Sequence, residues 1–344
     1  MTITTGKVIL NEERNVSLVT MIQDVGHELN VGKRPAIIVL PGGGYSMCSD
    51  REAEVVAYPY LAAGYHAFVL RYSVGIHRNW PNPLDDWEQA MEYILAHADE
   101  WGLAKNKIAV IGFSAGGHLA ATAATMAQHR PNAALLGYAA LLLDIAQACQ
   151  PGTDIPAPVD YVDGKTPPCF LFSARDDSAV PTRNQVAFLQ KLVDNDIVFE
   201  CHVYPRGGHG FSTAESQLVG KNPGRLSHWV PDSIGFLEDI FGVLTPKGLE
   251  EPVLSGKVNG DREDFLSLSC SLGHLRKNHE AEPIISPIIA VVENHLLSSY
   301  KDQDLARRIF DTFVFREILL FLQVPPEEQA KMNAVLQKIP NINK

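Results

Sequence analysis

The chain has 344 residues, 46% of them hydrophobic and 20% charged, with a formal net charge of -11. A chain of this length and composition supports a large core and folds without disulfide or metal staples. Its acidity argues against nucleic acid or an anionic membrane as the main partner, since both call for clustered Lys and Arg.

No apolar run is long enough to span a bilayer, and the N-terminus shows no basic start followed by an apolar stretch. The five cysteines are odd in number and scattered, with no CxxC pair, which disfavours a disulfide framework or a thiolate zinc site. A reducing, cytoplasmic setting is the expectation.

Short apolar runs alternate with helical patterns up to about residue 243. Pro35–Leu40 reads as a buried strand running into Gly42-Gly43-Gly44, and Glu52–Ala63 as a helix. His66–Leu70 is the next strand. Asn82-Pro83 supplies a cap and a proline at the first helical position, ahead of Leu84, Trp87, Met91, Ile94, Leu95 and Ala98 at helical spacing. Ile108–Ile111 is a strand and Ala115–Ala127 an alanine-rich helix. Leu135–Ala139 and Cys169–Ser173 read as buried strands, Thr182–Asn195 as a helix and Phe199–Tyr204 as a strand. Such alternation predicts a mostly parallel sheet with helices on both faces.

Proline-rich residues 144–166 break the rhythm and read as a small insertion over the sheet's edge. The stretch 244–264 reads as a linker. Residues 265–344 read as a C-terminal all-helical appendage, with Leu305, Ile309, Phe313 and Leu320 near one helical face and Met332, Val335 and Leu336 in a second run. An exposed stripe of that kind would need covering, so a homo-oligomer formed through the appendage is one expectation.

Gly112-Phe113-Ser114-Ala115-Gly116 matches Gly-x-Ser-x-Gly. Alone the pattern is a weak signal. Its place between a buried strand and a clear helix is what a nucleophile elbow requires, because the chain must turn sharply and leave the hydroxyl exposed. A serine hydroxyl needs a base. His209, flanked by glycines just after the strand Phe199–Tyr204, is the candidate. His118, four residues past Ser114, would face along the helix and is read as a packing or capping residue.

Asp176 and Asp177 follow the strand Cys169–Ser173 and compete for the acid role, and local chemistry does not separate them. The chain order Ser, Asp, His is that of α/β sheets bearing such a triad. Gly42-Gly43-Gly44 offers unobstructed amides that, with the Ala115 N–H, could receive an oxyanion. The following Lys-Ser/Thr of a phosphate loop and the GxGxxG of a dinucleotide site are absent.

With these motifs in order, residues 1–243 resemble the bacterial carboxylesterase and acetylesterase branch of the α/β-hydrolases, close to the hormone-sensitive-lipase-like esterases. The matching stretches are LPGGGY (Leu40–Tyr45), SDREAE (Ser49–Glu54), AAGYHAFVLRY (Ala62–Tyr72), GFSAGGHLAA (Gly112–Ala121), TPPCFLF (Thr166–Phe172), DSAVP (Asp177–Pro181) and GGHGF (Gly207–Phe211).

The resemblance implies an α/β-hydrolase fold, Ser114 as nucleophile, His209 as base and Asp177 as acid. It implies oxyanion donors at Gly43, Gly44 and Ala115, a small-molecule ester substrate with a short acyl group, and no cofactor or metal. Pro41 stands where lipase-like relatives carry His before the glycines, and residues after 245 lie outside the family pattern. A peptidase of the oligopeptidase type and a binding protein on a hydrolase-derived fold are the rival readings.

Overall fold

The computed structural model describes residues 2–24, 31–150, 152–219, 224–245, 248–249, 260–261, 263–296 and 300–342. The chain divides into two compact units, Met1–Val253 and Leu254–Lys344.

The first unit is built on an eight-stranded sheet. Its strands are β1 (Ile3–Asn11), β2 (Val16–Gln23), β3 (Arg34–Leu40), β4 (His66–Arg71), β5 (Leu103–Phe113), β6 (Ala133–Gly137), β7 (Cys169–Ala174) and β8 (Phe199–Tyr204). The spatial order is β1-β2-β4-β3-β5-β6-β7-β8. β1 pairs antiparallel with β2 and β2 antiparallel with β4, whereas every pair from β4 to β8 is parallel. The six parallel strands are the predicted ones. The antiparallel β1–β2 hairpin is an addition to the sequence reading.

Parallel strands joined by crossover helices bury both faces, which is why β3 reads as an unbroken apolar run. Alternate residues divide into two cores. Ile38, Leu40, Val110, Leu136 and Leu171 pack with Trp87 and Ile94 of α2 (Asn82–Ala96), Leu119 and Ala123 of α4 (Ala115–Met126) and Phe188 and Leu192 of α6 (Arg183–Asp194). Ile37, Val39, Ile111, Leu135 and Phe172 pack with Val56 and Tyr60 of α1 (Glu54–Ala62) and Phe236 and Leu237 of α8 (Trp229–Phe241). At the start of α8, Trp229 stacks on Phe172 with ring centroids 4.2 Å apart. Two further short helices are α3 (Ala98–Trp101) and α7 (Ser216–Val219).

The 144–166 segment differs from expectation. It joins β6 and β7, which are interior neighbours, and forms α5 (Leu143–Cys149) and a 3-10 turn at Pro158–Tyr161 that packs on α4 and α6. It therefore covers helices on one face, and the sheet's edges are β1 and β8. The expected 244–264 linker falls mostly outside the described residues. Within it, β9 (Leu244–Thr245) and β10 (Gly248–Leu249) pair antiparallel.

The second unit is helical, with α9 (Leu272–Arg276), α10 (Glu282–Val291), α11 (Gln303–Asp311), α12 (Phe315–Phe321) and α13 (Pro326–Leu336). Its core is Leu266, Leu272, Leu275, Ile285, Phe315, Ile318, Leu319 and Leu336. The predicted stripe of Leu305, Ile309, Phe313 and Leu320 does not form this core, and all four are exposed. Nor do they share one helix, because of a break the periodicity concealed. Leu272 N–H donates to Phe313 O and Phe315 N–H to Cys270 O, each at 2.9 Å, so the chain pairs here and stops the helix between Asp311 and Phe315.

Among the described residues no helix is long and apolar enough to cross a membrane.

Candidate active site

The carboxyl ends of β3, β5, β7 and β8 carry the chemistry-bearing residues, as open α/β sheets require. Ser114 follows β5 and caps α4 with φ 53° and ψ -116°, a conformation a non-glycine residue adopts only under constraint. The flanking glycines make that turn feasible. A Cβ on Gly112 would lie 2.1 Å from Gly116 O, and one on Gly116 would lie 2.2 Å from Leu40 O. The end of β5, the start of α4 and the end of β3 therefore touch backbone to backbone.

His209 and Asp177 come together with Ser114. His209 Nδ1 lies 2.7 Å from Asp177 Oδ2, and His209 Nε2 lies 2.9 Å from Ser114 Oγ. A carboxylate can only accept, so Nδ1 carries the ring proton and Nε2 is free to accept from the serine hydroxyl. The Asp177 side chain is fully buried. Its Oδ1 accepts from the N–H groups of Ala179 and Val180, both at 2.9 Å. Asp176 points elsewhere: its Oδ1 accepts from Gly207 N–H at 2.7 Å and Gly208 N–H at 2.8 Å, which shapes the loop leading to His209.

The glycine-rich loop abuts the elbow, since a Cβ on Gly42 would stand 3.1 Å from Ser114 Cβ. Gly43 and Gly44 take φ of 131° and 59°. Neither of their N–H groups has an acceptor among the described residues. Ala115 N–H is the first amide of α4, ahead of the intrahelical ladder. The three amides named from sequence thus sit on the two segments that meet at Ser114. Among the described residues no group of three or more His, Cys, Asp or Glu side chains is placed to hold a metal ion.

Residues 27–140 match the BD-FAE family model, and residues 154–234 match that of the prolyl oligopeptidase family. Among solved structures, MGS-M1, an alpha/beta hydrolase enzyme from a Medee basin deep-sea metagenome library, is 40% identical with a TM-score of 0.64. The match covers 69% of this chain and 98% of that one. The chain belongs to the α/β-hydrolases. The acetyl ester-xyloside bifunctional hydrolase of Caldicellulosiruptor lactoaceticus is 28% identical over 69% of this chain and 97% of its own, with a TM-score of 0.61. The acetylxylan esterase of Xylanibacter ruminicola is 30% identical over 51% of this chain and 41% of its own length. The endo-1,4-beta-xylanase B of Butyrivibrio fibrisolvens is 30% identical over 54% of this chain and 34% of its own. The chain thus spans less than half the length of these two curated relatives.

This α/β-hydrolase supports its glycine-rich loop without a histidine at position 41. Tyr72 Oη donates to Pro41 O at 2.6 Å, Gly42 N–H donates to Glu52 Oε2 at 2.9 Å, and Tyr45 Oη lies 2.8 Å from His118 Nδ1. Glu52, Tyr72 and His118 are buried. Sequence reading assigned no role to Glu52, Tyr45 or Tyr72. The signal available was the SDREAE stretch, which marks Glu52 without saying what it touches.

His118 Nε2 lies 2.8 Å from Pro156 O, a carbonyl that can only accept, so the proton sits on Nε2 and Nδ1 accepts from Tyr45. Burial holds the His118 pKa down to about 4. Burial likewise holds His66 down to about 4, and its Nδ1 accepts from Gln23 N–H at 3.2 Å. Between pH about 6.5 and about 4 the unfolded chain takes up protons that both folded sites refuse. Their contribution to stability is complete above pH about 6.5 and is lost as pH falls to about 4, at roughly 1.4 kcal/mol per pH unit per histidine. Denaturant melts across that window should show the midpoint falling, with a shallower fall in His118→Gln. A midpoint that is flat from pH 6.5 to 4.5 contradicts this account.

Proposed function

We propose that residues 1–243 form a serine carboxylic-ester hydrolase in which Ser114 is the nucleophile, His209 the base and Asp177 the acid. The observation that carries this reading is the continuous hydrogen-bond line from Asp177 through His209 to Ser114, at 2.7 and 2.9 Å.

Ser114 Oγ attacks the ester carbonyl as its proton passes to His209 Nε2. The carbonyl oxygen takes up the negative charge beside the Gly43, Gly44 and Ala115 amides. The C–O bond to the leaving alcohol then breaks as His209 returns the proton, leaving an acyl-serine. Water, deprotonated by His209, attacks that ester, and the acid leaves as Ser114 recovers its proton. Asp177 holds the ring tautomer and balances the imidazolium formed in each half-reaction. The scheme needs no metal or cofactor.

The substrate class is a small-molecule short-acyl ester, in first place an acetyl ester, with acetylated sugars as the candidates. Support comes from the acetylxylan esterase and the acetyl ester-xyloside hydrolase among the relatives. Placement beside the hormone-sensitive-lipase-like esterases rests on the glycine-rich loop and the elbow, with Pro41 as a departure. Rates on p-nitrophenyl esters of two to ten carbons and on acetylated xylo-oligosaccharides test the assignment. The expected kcat/KM is highest for acetyl and falls with chain length. Preference for long acyl chains rejects the short-acyl assignment.

The match of residues 154–234 to the prolyl oligopeptidase family is the observation on the side of a peptidase. It covers the acid and base loops, which the ester and peptide reactions use alike. Cleavage of peptide amides in preference to esters would establish that reading instead. Self-association through the helical unit has its support in the exposed Leu305, Ile309 and Leu320.

A further inference from the structure

Glu52 lies between the two halves of the site, and the reaction as written does not use it. It closes the short 3-10 turn Asp50–Glu52 ahead of α1 and is 4% exposed. One oxygen, Oε2, accepts from Gly42 N–H at 2.9 Å, and the other, Oε1, accepts from Tyr138 Oη at 2.6 Å. Tyr138 Oη in turn accepts from Ser212 N–H at 3.0 Å, in the chain just beyond His209. The Tyr138 ring lies edge-on to the His209 imidazole, with centroids 5.0 Å apart and planes at 68°. Tyr138 itself holds φ 34°, unusual for an aromatic residue, directly after β6.

A single carboxylate thus ties the glycine-rich loop to the loop that carries the base. Apolar filling would suit a merely structural site better, because desolvating a carboxylate is costly. Two donors, one on each oxygen, match its charged form. Burial pushes the Glu52 carboxyl up from its ordinary value, while the Tyr138 and Gly42 donors and the nearby His209 and Arg51 pull it down. Tyr138, Tyr72, Arg51 and His209 are the titratable or charged groups that face it.

We propose that Glu52 is a positioning residue for the ester hydrolysis described above. It fixes Gly42, and with it the adjoining Gly43 and Gly44 amides, against Ser114. Through Tyr138 it braces the base, and its negative charge favours the imidazolium that forms as Ser114 attacks. That charge interacts more strongly with the transition state than with the neutral ground-state ring, so it acts on kcat. The inference rests on the Ser114–His209–Asp177 reading.

The test uses Glu52→Gln, Tyr138→Phe and the double variant of the full chain on p-nitrophenyl acetate, alongside Ser114→Ala. Glutamine keeps the shape but turns an NH2 toward one of the two donors and removes the charge. The expected result is a kcat lower by about tenfold to a hundredfold, short of the loss of an oxyanion donor itself, with KM changed less than about threefold. The acidic limb of the kcat/KM profile should move to lower pH in Glu52→Gln. The double variant should fall at most about twofold below Glu52→Gln, since both changes cut one chain of contacts.

An unmoved kcat and acidic limb, with only a lower melting temperature, overturns the proposal, as do fully additive effects. Should Glu52→Gln not fold, Tyr138→Phe decides alone, because it keeps the ring on His209 and loses only the oxygen; unchanged kcat there overturns the proposal. Turnover that survives Ser114→Ala sinks the reaction and this inference together. Turnover that needs Ser114 but ignores both Glu52 and Tyr138 sinks only the inference.

Discussion

Ser114→Ala is expected to lower kcat on acetyl esters by about 10⁴ to 10⁶ while leaving KM within a few-fold of wild type. The substitution removes the atom that His209 Nε2 faces at 2.9 Å and little else. Ser114 sits at φ 53°, and alanine, which also carries a Cβ, meets the same constraint there. Its side chain forms no cap on α4, so the helix loses no hydrogen bond. The melting temperature should therefore stay within a few degrees, which separates loss of chemistry from loss of fold. Residual rate above the uncatalysed reaction is expected, because the amides of Gly43, Gly44 and Ala115 remain in place. Undiminished turnover in a folded Ser114→Ala protein removes the mechanism.

What could be read from sequence was what local backbone demands leave behind. Gly112 and Gly116 are glycines because backbone oxygens occupy the space a Cβ would need, so the elbow is written in the motif itself. The six parallel strands announce themselves because burial on both faces requires apolar runs. β1 gives only a short signal: its first five residues are exposed, and of its apolar side chains only Leu10 packs against the core. Helix α8 contains Pro231 and Gly235, which weaken its local propensity. It is held instead by packing of Trp229, Phe236 and Leu237.

Contacts distant in sequence were equally illegible. Glu52 meets Tyr138 across 86 residues, and Tyr45 meets His118 across 73. A polar residue read in isolation looks like surface, and only the fold reveals that its partner is buried with it. The second unit is helical as its pattern predicts, but the break inside it was hidden for the same reason. The run from Leu305 to Leu320 has helical spacing, but the pairing of Ser271 with Val314 stops one helix and starts another.

Asp177→Asn is expected to cost about 10⁴ in kcat, and Asp176→Asn less than about tenfold. The difference follows from which atoms each carboxylate must satisfy. Asp177 Oδ1 is committed to the N–H groups of Ala179 and Val180, so an asparagine there must keep its oxygen on that side. Its NH2 then faces His209 Nδ1 and forces that nitrogen to accept. The ring proton moves to Nε2, where it opposes Ser114 Oγ, and the serine loses its base. At position 176 the oxygen accepts from Gly207 and Gly208, and an asparagine oxygen can do the same. The loop that presents His209 is then retained, along with its tautomer. Measured side by side on p-nitrophenyl acetate, the two variants should differ by about a thousandfold. The reverse order would hand the acid role to Asp176 and contradict the hydrogen-bond line from which the site is built.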